Sequence, residues 1–134
     1  MLDGSNVVSW LNPIAVAVGG GVGCWARYGL GWLVAGHPAV AAFPWMTFGI
    51  NVLGSFLLGL FVVWYRAHPQ PVWYLLLGTG FCGGFTTFST FSVETLDLID
   101  KDRFGSAALY SGGSVAAGLL AAAVAVRFAK GIEF

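Results

Sequence analysis

Gly83-Gly84-Phe85-Thr86-Thr87-Phe88-Ser89-Thr90-Phe91-Ser92 lies inside an uncharged run that extends from Ala67 to Val93. Two adjacent glycines weaken a helix, and Thr86, Thr87, Ser89, Thr90 and Ser92 then crowd five hydroxyls into seven positions. Backbone left unpaired at membrane depth is tolerated only where protein buries it or it lines a cavity. The stretch therefore predicts a break near residues 83–86 of a membrane-crossing helix, with freed carbonyls able to ligate a hard cation. Phe85, Phe88 and Phe91 recur at every third residue, so rings and hydroxyls form neighbouring stripes. Hydroxyls bonding back to carbonyls one turn earlier would account for one or two of them. Five beside a glycine break predict a polar track instead.

Working outward, uncharged runs also cover residues 4–26, 28–65 and 104–126. A spanning helix needs about 20 mainly apolar residues, so the four runs predict four spans at about 11–34, 43–65, 72–99 and 104–127. The chain of 134 residues is then read as a single four-helix transmembrane domain, residues 1–134. It is 57% hydrophobic and 9% charged, against about 25% charged in soluble domains. One small core could not hide so much apolar surface. The fold class is all-α and membrane-embedded, and the surrounding partner is lipid. A net charge of zero gives no reason to expect nucleic acid. The N-terminus, Met1-Leu-Asp-Gly-Ser-Asn6, has no basic residue before the apolar run, which argues against a cleaved signal peptide.

Short loops alternate the spans, placing Arg66, Arg127 and Lys130 on one side and Lys101 and Arg103, with Arg27 if it reaches that far, on the other. The positive-inside rule needs a clear excess, and none exists. Such a balance either leaves the orientation unpredictable or lets the chain insert both ways and pair with an inverted copy. Gly19/Gly23 and Gly80/Gly84 are GxxxG pairs and Ser114/Gly118 a small-xxx-small pair, spacings that let helix backbones approach in lipid. Gly78-Thr-Gly80-Phe-Cys-Gly83 formally fits a dinucleotide fingerprint, but that motif needs a strand before it and a helix after it. Inside an apolar span it is rejected. Cys24 and Cys82 fall inside spans as packing residues, and Trp10, Trp45, Trp64, Tyr65, Trp73 and Tyr74 mark span ends. His37 and His68 each precede a proline and read as turn residues.

Moving a bare small ion into a low-dielectric medium costs on the order of 20 kcal/mol. A chain of donors in place of hydration offsets that cost without a buried charge. Asn51, the hydroxyls of the third span, Tyr110 with Ser114 on the last span, and the positive edges of Phe rings all offer partial positive charge. Arg27 would draw anions to one mouth, and Glu94, one turn past Phe91, would approach the other. No nucleophile–base pair, metal cluster or phosphate loop is present, so an enzyme is not expected.

These residues resemble the Fluc (CrcB) family of fluoride channels over nearly the whole chain. Gly19-Gly-Gly-Val-Gly23 with Arg27-Tyr28 resembles the first-helix pattern, Phe43-Pro-Trp45 with Thr47 and Asn51 the second-helix motif, and residues 80–92 with Glu94 the third-helix signature. The resemblance implies an antiparallel, dual-topology homodimer with two pores that passes fluoride out of the cell passively, rejects chloride and gives fluoride resistance. It implies that Asn51 coordinates fluoride, that Phe88 and Phe91 line the pore, and that Ser89, Thr90, Tyr110 and Ser114 form the polar track. It also implies a location in the bacterial cell (inner) membrane, and a structural sodium ion on the dimer axis held by the carbonyls of Gly83 and Thr86 from both subunits. Met46 departs from the pattern, standing where the family usually has glycine. Two other functions compete with this one. A small dual-topology exporter of cationic drugs would need a carboxylate deep in the membrane, and the first two spans have none. A non-transporting assembly subunit would leave the polar track without a purpose.

Overall fold

In a computed structural model the protein is all-α, and the described residues are 10–36 and 42–132. His37 and the N-terminal residues read for a signal peptide lie outside them. Helix α1 spans Leu11–Val34 and α2 spans Trp45–Ala67. The third helix, α3, is composite and covers residues 71–100. Its first half, α3a, begins at Pro71, widens into a π-helical stretch at Leu75–Cys82 and closes with Gly83–Phe85; its second half, α3b, is Phe88–Asp100. Helix α4 spans Phe104–Gly131. Among the described helices, α2 and α4 are each long and apolar enough to cross a membrane.

The glycines decide which helices touch. A methyl group added to Gly19 would strike the Leu76 carbonyl, one on Gly23 the Phe81 carbonyl, and one on Gly84 the Gly20 carbonyl. On Gly80 it would come within 2.9 Å of the Val16 carbonyl oxygen. Backbone therefore lies on backbone between α1 and α3a, the close approach that small residues permit in lipid. Because residues 16–23 meet 76–85 in rising order, α1 and α3a run in the same direction. Helices α2 and α4 form the second pair. Phe43, just before α2, packs edge-on to Tyr110 near the start of α4, while Gly59 lies against Ala122 and Ala125 near its end. Met46 reaches back over the end of α1, with its sulfur 3.2 Å from where a methyl on Gly31 would sit. Gly31 on the neighbouring helix thus leaves room for the long Met46 side chain.

The break in α3 falls at Thr86 and Thr87, both extended, and not at the glycines: Gly83 and Gly84 are helical. Gly84 is needed for contact with α1, whereas threonine's branched Cβ suits extended backbone. Beyond the break, α3b ends in a tight cap. Asp102 has a left-handed φ of 57°, the Arg103 amide donates to the Leu98 carbonyl at 2.8 Å, and the Asp102 amide donates to Ile99 at 2.9 Å. This is a Schellman turn with aspartate in the position that favours glycine. Asp102→Gly is accordingly expected to stabilise the fold by about 1 kcal/mol, read as a rise in thermal midpoint in detergent.

Candidate functional site

The break frees the Thr87 amide, and Asn51 on α2 takes it together with the Thr87 carbonyl, which as N-cap also accepts the first hydrogen bond of α3b. The Thr87 amide donates to Asn51 Oδ1 at 2.8 Å, and Asn51 Nδ2 donates to the Thr87 carbonyl at 3.0 Å. These two partners also fix which way the Asn51 amide faces, leaving one Nδ2 hydrogen for a further acceptor. Thr87 then caps α3b, its Oγ1 accepting from the Thr90 amide at 3.2 Å. Of the five hydroxyls, Thr86 and Ser92 donate back to the carbonyls of Cys82 and Phe88. Thr87, Ser89 and Thr90 bond to one another.

An open cleft of about 510 Å³ lies over the break. Asn51, Phe88, Phe91 and Ser114 line it, joined by Thr86, Thr87 and Ser55. Phe88 is 80% exposed there, and its ring centroid lies 5.7 Å from that of Phe91. The Ser114 hydroxyl is buried and, among the described residues, has no hydrogen-bond partner. Ser89, Thr90 and Tyr110 do not border this cleft. Tyr110 is instead fully buried behind Phe91, ring centroids 5.1 Å apart. Arg27 stands apart on α1, its guanidinium 3.7 Å from the Cys24 sulfur.

Sequence reasoning missed what holds Glu94. Thr47 Oγ1 donates to Glu94 Oε1 at 2.8 Å, and Tyr110 Oη donates to Glu94 Oε2 at 2.6 Å. Thr47 and Tyr110 are both 0% exposed, so the first turn of α2 and the second turn of α4 converge on one carboxylate of α3b. Leu98, Ala107 and Tyr110, with Phe43, Phe48 and Phe91 packed around them, form the apolar cluster beside it. The available signal was a lone acid in an aromatic and hydroxyl stretch; its partners, 47 and 16 residues away, left no local trace.

The expected sodium ion is corrected. Among the described residues no group of three or more His, Cys, Asp or Glu could hold a metal ion. The carbonyls of Gly83 and Thr86 alone offer fewer oxygens than a hard cation takes. The freed Thr87 amide is met by the Asn51 side chain, and no metal enters the account.

Residues 14–126 match the family described as CrcB-like protein, Camphor Resistance (CrcB). The chain belongs to the CrcB/FluC family of fluoride channels. It is 45% identical over 121 residues to the fluoride-specific ion channel FluC 1 of Mycolicibacterium paratuberculosis, covering 89% of this chain and 90% of that one. Over 121 residues it is also 45% identical to the fluoride-specific ion channel FluC of Novosphingobium aromaticivorans, covering 87% and 94%. The fluoride-specific ion channel FluC 2 of Geobacillus kaustophilus is 47% identical over 110 residues, covering 81% and 84%. CrcB/FluC proteins are channels, not enzymes, and this member is a multi-pass protein of the inner membrane.

Proposed function

We propose that the protein is a fluoride-selective channel that exports cytoplasmic fluoride passively through the two pores of an antiparallel homodimer. The observation that carries the reading is the α3 break clasped by Asn51 under an open cleft lined by Phe88 and Phe91. A passive anion path needs donors and ring edges without a trapping cation. Asn51 has one amide hydrogen to spare and Ser114 a hydroxyl unpaired among the described residues. In this reading fluoride passes Asn51, Phe88 and Phe91, with Ser89, Thr90, Tyr110 and Ser114 as the polar track. Arg27 and Glu94 stand at the mouths. The cleft is open in the single chain, and the basic residues show no clear excess at either end. Both features suit pairing with an inverted copy. A cation exporter fits less well, because the Glu94 carboxylate is already held by two donors.

The test is fluoride release from liposomes carrying the purified protein, followed by electrode, with chloride as control. Fluoride release without chloride release supports the channel; cation uptake without fluoride release supports the exporter. Phe88→Ile and Phe91→Ile remove the positive ring edges but keep bulk. Each is expected to slow release by about ten-fold with the dimer intact on size-exclusion chromatography. Unchanged release in both variants removes the rings from the mechanism.

A further inference from the structure

Thr87 is not among the pathway residues above, yet its side chain is the most engaged hydroxyl at the break, and only 8% of its surface is exposed. A hydroxyl has one hydrogen to give and two lone pairs. Thr87 Oγ1 gives its hydrogen to Thr90 Oγ1 at 3.0 Å and accepts the Thr90 amide at 3.2 Å. Ser89 Oγ lies 3.3 Å away. With the Thr87 hydrogen committed, Ser89 is the donor in that last contact. The result is a one-way chain, Ser89 to Thr87 to Thr90. At its end the Thr90 hydroxyl has accepted a hydrogen and, among the described residues, donates its own to nothing.

That loose proton sets Thr90 apart from the other hydroxyls of the break and from Ser55. Thr86, Ser92 and Ser55 spend theirs on the carbonyls of Cys82, Phe88 and Asn51, so each shows an anion its lone pairs. A donor that is itself hydrogen-bonded at its oxygen is also strengthened by the chain behind it. Asn51 fixes the Thr87 backbone through both its amide and its carbonyl, and the cap to the Thr90 amide holds the side-chain rotamer. We propose that Thr87 is a positioning residue: it polarises this hydroxyl chain and presents the Thr90 proton to the permeating anion. The inference rests on the reading that the chain conducts fluoride past Thr90.

Fluoride release from liposomes tests it with Thr87→Val, Thr90→Val and the double variant. Each single change is expected to slow release by about ten-fold, the value of one lost donor. The double variant is expected to be no slower than the slower single one, because both remove the same proton. Thr87→Ser, which keeps the oxygen, is expected to recover most of the rate. Wild-type release by Thr87→Val, or losses that multiply in the double variant, would overturn the proposal. If Thr87→Val fails to fold, Thr90→Val still decides, since a normal rate there overturns it equally. No release from the wild-type protein would instead overturn the fluoride reading itself.

Discussion

Asn51→Ala is expected to lower fluoride release by about one hundred-fold in liposomes while the helices persist. The substitution removes two hydrogen bonds at once, leaving the Thr87 amide without a partner and its carbonyl with the helical bond alone. Each buried backbone group left unpaired costs about 1–3 kcal/mol, and in the membrane no water replaces the partner. Thr87 caps α3b, so the cost falls on the angle at which that helix carries Phe88 and Phe91 past the cleft. Asn51→Asp separates the two bonds: a carboxylate still accepts from the Thr87 amide but cannot donate to its carbonyl. A normal rate in Asn51→Ala, with circular dichroism unchanged, would reduce Asn51 to ordinary helix adhesion.

A second large effect is expected from Gly84→Val, and equally from Gly23→Val, which should yield no stable protein. In each case the new Cβ falls on backbone of the facing helix, at Gly20 and Phe81 respectively. Backbone cannot rotate out of the way as a side chain can, so the two helices must part. The expected cost exceeds about 4 kcal/mol, the range in which single substitutions unfold a domain. Gly21→Ala is the matched control, because a methyl there meets nothing within 4 Å. Detergent-purified yield and thermal unfolding should show the control at wild-type level and both valine variants lost. Equal behaviour of all three would contradict the backbone-on-backbone contact between α1 and α3a.

The same glycines show where sequence sufficed and where it stopped. Gly19, Gly23, Gly80 and Gly84 carried a periodic signal for close packing, and the structure uses all four at one interface. The glycine pair at 83 and 84 was also read as the weak point of α3, yet those residues stay helical and the backbone opens at Thr86 and Thr87. Local propensity could not choose between the two positions; the Asn51 amide, 36 residues from Thr87, did. The π-helical turns at Leu75–Cys82 had no local marker either, since their register is set by the fit to α1. At the site, the hydroxyls were legible as a set but not by role. Thr86 and Ser92 bond back to carbonyls as isolated hydroxyls do, while Thr87 acts as cap and hub. The convergence of Thr47 and Tyr110 on Glu94 joins three helices, and no window of sequence contains it.

The central claim, a passive path selective for fluoride, is tested most directly by the reversal potential of the purified protein in a planar bilayer. With different fluoride concentrations on the two sides, the account predicts current that reverses at the fluoride equilibrium potential. Changing the chloride or cation gradient should leave that potential where it is. A reversal potential that follows chloride, or that moves with a cation or proton gradient, would contradict it.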